Sequence, residues 1–180
     1  MTAASNGVLG YVPIDYAAAT TIVTGNNANK AHAYQATPDS DFTCTKATIL
    51  LSGAAPSFAG TNSGITVGIY TSVATGIGTG AGNVLLGQGS KGIWSSDPYA
   101  SITLSPVNAG DLDLVGGTAY VIVVRCIGAQ SATGLLGIAG VSNVSYAANF
   151  ASNSASLPSL ITNELEVGAT TFRPAITLNF

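Results

Sequence analysis

The sequence predicts an all-β chain, an antiparallel two-sheet β-sandwich preceded by an extended N-terminal arm. Three observations carry that prediction. Apolar residues recur with a period of two over strand-sized runs, as in the stretch ITVGIYT at 65–71. Gly, Pro and Asn break the chain into many short runs at spacings of about 8 to 15 residues, the rhythm of a sandwich or barrel. Nowhere does a 3.6-residue apolar period persist over three turns with a cap, so no helix of ordinary length is expected.

The elements follow in chain order. Residues 1–28 are rich in Ala, Thr, Asn and Gly with short apolar pieces, and read as an arm with room for one short strand. Pro13 and Gly25-Asn26-Asn27 are turn chemistry. An arm this apolar should lie on its own domain or on a neighbour. Residues 29–180 form the sandwich domain. Within it, residues 31–37 alternate small apolar with polar and end at the turn Pro38-Asp39-Ser40-Asp41. Residues 42–52 (FTCTKATILLS) read as one strand, stopped by Gly53 and Pro56. In 65–71, Ile65, Val67 and Ile69 share one face and Thr66 and Tyr70 the other, the pattern of a half-buried strand.

Residues 72–83 are a glycine-rich loop, and 84–89 and 101–105 are further short strands. Residues 109–114 lead into a turn at 115–118, which feeds 119–127, the most hydrophobic strand and therefore a central one. Residues 135–141 and 144–147 read as strands, 148–171 as mostly loop, and 175–180 as the closing strand. No fixed-period repeat is present, which argues against a solenoid or propeller.

Composition bounds function. At 180 residues the chain fits one domain able to bury roughly 70% of its unfolded surface. Charged residues are 7% of the chain, against about 25% in ordinary domains. Hydrophobic residues are 47%, and the mean hydropathy is +0.43. Such a surface is either simply Ser/Thr/Asn-rich or covered by other copies or a partner; the second reading is preferred, because few charges guard the sheet edges. With a net charge of −3 and only Lys30, Lys46, Lys91, Arg125 and Arg173 as scattered bases, no nucleic-acid partner is expected. The longest strongly apolar run, 120–124, is far below the ~20 residues of a spanning helix, so no membrane association is expected. The first residues lack a basic segment and a continuous apolar run, so no secretory signal is read, and synthesis in a cytosol is the expectation if Met1 is the natural start.

No residue pattern marks a catalytic site. His32 is the sole histidine and has no nucleophile motif beside it. Gly76, Gly78 and Gly80 lack the helix and the Lys-Ser/Thr that grip phosphate, so a flexible loop is the better reading. The pairs Asp39/Asp41, Asp111/Asp113 and Glu164/Glu166 could share a cation, but nothing resembles a full calcium loop, and turn-capping aspartates are expected instead. Cys44 and Cys126 read as two buried free thiols in strands rather than a disulfide or a zinc site. No cofactor and no metal are expected. Trp94 and Tyr99 lie in the loop KGIWSSDPYAS, where they either fold back over the domain or serve as contacts to a partner or a glycan.

The segments ATILLSG, ITVGIYTS, NVLLGQGS, ITLSPVNAGDLDL and VGGTAYVIVV, in that order over residues 47–124, carry a resemblance. This stretch resembles the jelly-roll, carbohydrate-binding-module-like sandwich domains of bacterial surface proteins and tailed-phage virion proteins. The resemblance implies a jelly-roll-like fold and extends to under half the chain. With no secretion signal, no linker and few charges, the chain is more similar to a phage structural component. What that implies is a non-enzymatic virion protein, made in the host bacterial cytoplasm. A capsid cement (decoration) protein, binding an assembled lattice through an apolar, low-charge surface, is the first expectation. The alternative is a carbohydrate-binding or host-receptor-binding module of a fibre or baseplate. The implied partners are the major capsid protein or tail components, and copies of the chain itself, with a glycan under the alternative.

Overall fold

The computed structural model describes residues 21–23, 30–52, 64–73, 82–92, 99–127, 137–142, 147–151, 156–161, 165–166, 172–174 and 176–179. All regular structure among them is β, and every strand pairing is antiparallel. The first half of the chain supplies β1 (Thr21–Val23), β2 (Lys30–Ala36), β3 (Phe42–Thr43), β4 (Lys46–Ser52), β5 (Gly64–Thr71) and β6 (Asn83–Gly92). Then come β7 (Tyr99–Thr103), β8 (Ser105–Pro106), β9 (Asp113–Leu114), β10 (Tyr120–Ile127) and β11 (Gly137–Ser142). The last are β12 (Ala147–Ala151), β13 (Leu160–Ile161), β14 (Leu165–Glu166), β15 (Phe172–Pro174) and β16 (Ile176–Asn179).

These strands form two large sheets and a small ribbon. An eight-stranded sheet runs β13-β6-β5-β10-β2-β12-β14, with β8 also on β6. A six-stranded sheet runs β1-β11-β4-β16, with β15 on β11 and β7 on β4. β3 and β9 pair alone. The β-branched run of β10 sits between β5 and β2, central as its composition predicts, because a strand with no polar face must be covered on both sides.

One apolar cluster draws on both large sheets. Ala47, Ile49, Ala100, Ile102, Ile176 and Leu178 come from the six-stranded sheet, and Ile65, Val67, Ile69, Ile122 and Val124 from the eight-stranded one. Each buried Ile or Val side chain is worth about 1.5–3 kcal/mol, so this shared cluster contributes strongly to the stability of the described residues. A second cluster lies on the other face of the eight-stranded sheet, with Ala31, Ala33, Tyr70, Leu85, Val121 and Val123 meeting Leu157 and Ile161.

That second cluster corrects the half-buried reading of 65–71. Thr66 and Tyr70 are as fully buried as Ile65, Val67 and Ile69. The segment 156–161 crosses this face. Its Leu157 presses on Gly68, the Leu157 amide donates to Gln88 Oε1 at 3.0 Å, and the Tyr70 hydroxyl donates to the Pro158 carbonyl at 2.7 Å. Thr66 meets Ser90 through their hydroxyls at 2.8 Å, so neither buried polar group is lost to the apolar face.

The single strand expected over 42–52 is two. The chain leaves β3 at Cys44, whose amide donates to the Leu112 carbonyl, and Thr45 then donates to Asn179 before β4 begins. The propensity for extended structure is continuous there, but the hydrogen-bonding partner changes. Strand 84–89 extends to Gly92, and 101–105 divides into β8 and a β7 that begins at Tyr99, a residue read as loop. β12, expected over 144–147, instead runs from Ala147 to Ala151, into the stretch read as loop. β13 and β14 lie in that stretch too. Of the arm, only β1 falls within the described residues, and it pairs with β11. Of the glycine-rich loop expected over 72–83, residues 74–81 lie outside them, and Asn83 already belongs to β6.

Where β7 passes to β8, the backbone rides over two glycines of β6. A Cβ on Gly89 would sit 1.9 Å from the Thr103 carbonyl oxygen, and one on Gly87 would sit 2.8 Å from that of Ser105. The turn at 115–118 is equally specific. Gly117 has a φ of 77° and donates its amide to the Pro38 carbonyl at 2.8 Å, while the Gly116 amide donates to Asp41 Oδ1 at 2.7 Å.

Candidate functional site

Tyr99 opens β7, and the alternation of that strand decides what surrounds it. Ala100 and Ile102 point into the core, so Tyr99, Ser101 and Thr103 point outward. Tyr99 is 50% exposed. Register then assembles a face from neighbouring strands. Ser101 lies opposite Thr48 and Thr103 opposite Lys46, and on the next strand Thr177 and Asn179 lie opposite the same two residues. Directly opposite residues in an antiparallel pair share a face. Asn179 Nδ2 donates to Thr48 Oγ1 at 3.2 Å. The result is a surface of hydroxyls and an amide with one ammonium, Lys46, and one aromatic ring at its end. Such a surface offers hydrogen bonds in both directions and little net charge, chemistry suited to water or to a polyol.

Trp94, the other aromatic residue singled out in the sequence, lies outside the described residues. His32 is on β2, in register with Val124 and Asn149.

Asp41, Asp111 and Asp113 act as local caps. Asp111 Oδ2 accepts from the amide of Asn108 at 2.8 Å and from its side chain at 2.9 Å. Asp113 Oδ1 accepts from the Thr43 hydroxyl at 2.6 Å, tying β9 to β3, and Asp41 caps Gly116. Each holds a turn or a strand pair. Among the described residues, no three His, Cys, Asp or Glu side chains gather as metal ligands do.

Cys44 is a buried free thiol, in contact with the Lys46 carbonyl at 3.7 Å. Burial pushes it up to about 12, so it stays protonated and unreactive at neutral pH. Cys126 sits on β10 opposite Ile65. Arg125, counted in the sequence only as a scattered base, is buried on the same central strand, opposite Thr66.

Sequence reasoning did not single out three exposed apolar residues along β6. Val84 and Leu160 lie directly opposite each other and are 49% and 45% exposed. Val107 is 55% exposed and donates its amide to the Leu86 carbonyl at 2.8 Å, two residues along β6 from Val84. The alternation of Val84, Leu85 and Leu86 was a usable signal, since Leu85 and Leu86 cannot share a face. Leu160 had none, because it lies in a stretch of loop composition.

No protein-family model, no curated protein and no solved structure matches the chain.

Proposed function

We propose that the chain is a non-enzymatic structural module whose surface is covered by other subunits, a virion protein of the capsid cement or decoration kind. The single observation that carries the reading is the composition, with 7% charged residues over a β-rich fold that leaves Val84, Val107, Val115 and Leu160 about half exposed. Association through such a surface rests on shape-matched apolar burial rather than on charge pairing. In the same reading the two large sheets face each other as a jelly-roll-like sandwich, supported by the core cluster that both supply. The partners are copies of the chain and the major capsid protein or tail components, and its place is the virion.

The test is absolute mass by light scattering after size exclusion at two concentrations. A closed oligomer, unchanged on dilution, is the expected result. Deleting residues 1–20, which leaves β1 in place, should then break it down to smaller species. A monomer at both concentrations overturns self-association as the reason for the low charge.

A second reading is a glycan- or receptor-binding module of a fibre or baseplate, favoured by the hydroxyl-rich face that Tyr99 ends. It predicts binding to members of a broad glycan panel that is lost in Tyr99→Ala and Trp94→Ala. Absence of binding across the panel removes this reading.

A further inference from the structure

We draw no further inference here: the strongest candidate, the exposed apolar patch of Val84, Leu160 and Val107 along the outer side of β6, carries nothing because nothing in the structure shows what covers it.

Discussion

Replacing Gly89 with alanine adds one methyl group at the tightest backbone approach in the described fold. The new Cβ would lie 1.9 Å from the Thr103 carbonyl oxygen, 2.9 Å from its carbon and 3.0 Å from Ile102 Cγ2. Real Cβ atoms essentially never come within 3.0 Å of such atoms, so the backbone must separate by about 1 Å. The obstacle cannot swing aside, because Thr103 is held in register with Lys46 on β4. Overpacking of this kind costs about 1–3 kcal/mol, and a backbone obstacle belongs at or above the upper end. Stiffening the unfolded chain returns at most about 1 kcal/mol. The expected net loss is therefore about 2 kcal/mol or more, read as a lower urea midpoint by circular dichroism at unchanged slope. Two companion variants calibrate the argument. Gly117→Ala meets nothing within 4 Å and pays only for its φ of 77°, about 1–2 kcal/mol. Gly68→Ala meets side chains only, the end of Leu157 at 2.5 Å and then the Tyr70 ring at 3.1 Å and Leu85 at 3.3 Å, with no backbone obstacle. If Gly89→Ala proves no more destabilising than both, the close crossing of β7–β8 over β6 is wrong.

Two further outcomes follow from burial. Tyr70→Phe removes the hydroxyl that reaches the Pro158 carbonyl and should cost about 1 kcal/mol, with faster hydrogen exchange along 156–161; unchanged exchange there would mean that the bond does not hold the segment. Stability should also fall in alkali. Burial raises the Cys44 thiol from 9.0 to about 12, so the unfolded chain loses that proton near pH 9 while the folded chain keeps it. The stability this group confers is complete below pH 9 and is lost between about pH 9 and 12, by at most about 1.4 kcal/mol per pH unit. Tyr70, also raised by burial, adds a second loss above pH 10. Cys44→Ala should flatten the first part of the decline, and an unchanged slope between pH 9 and 10 would contradict the burial of the thiol.

Much of the β architecture was legible because it depends on local pattern. The alternation in β5 and the β-branched run in β10 announce strands, and lack of any polar face places β10 at the centre. What was not legible depends on which distant segment arrives. Thr66 and Tyr70 carry polar atoms and Gly68 between them adds no apolar side chain, so that face reads as a solvent face. Only the arrival of 156–161, nearly 90 residues later, with a carbonyl for the Tyr70 hydroxyl, turns that face inward. Likewise, nothing in FTCTKATILLS marks the change of partner at Cys44 and Thr45, since extended backbone serves both pairings equally well. Tyr99 was identified from composition, but the hydroxyls beside it come from β4 and β16, and register between distant strands is not written locally.

The outer side of β6 has a consequence for how molecules meet there. Along residues 83–88 its backbone is already engaged, with Leu160 and Ile161 facing Val84 and Asn83, Ser159 accepting from Leu85, Val107 donating to Leu86, and β8 facing Gly87 and Gln88. Along that stretch a strand from another molecule finds no open ladder on β6 to extend, and Pro106 in β8 offers no amide to start a new one. The exposed side chains there include the apolar Val84, Val107 and Leu160 beside Ser105 and Ser159, so contact along this stretch would run through side chains rather than through added backbone pairing. On a sheet with so few charges, that occupied stretch of β6 blocks added pairing where the rims of other sheets rely on lysines and glutamates.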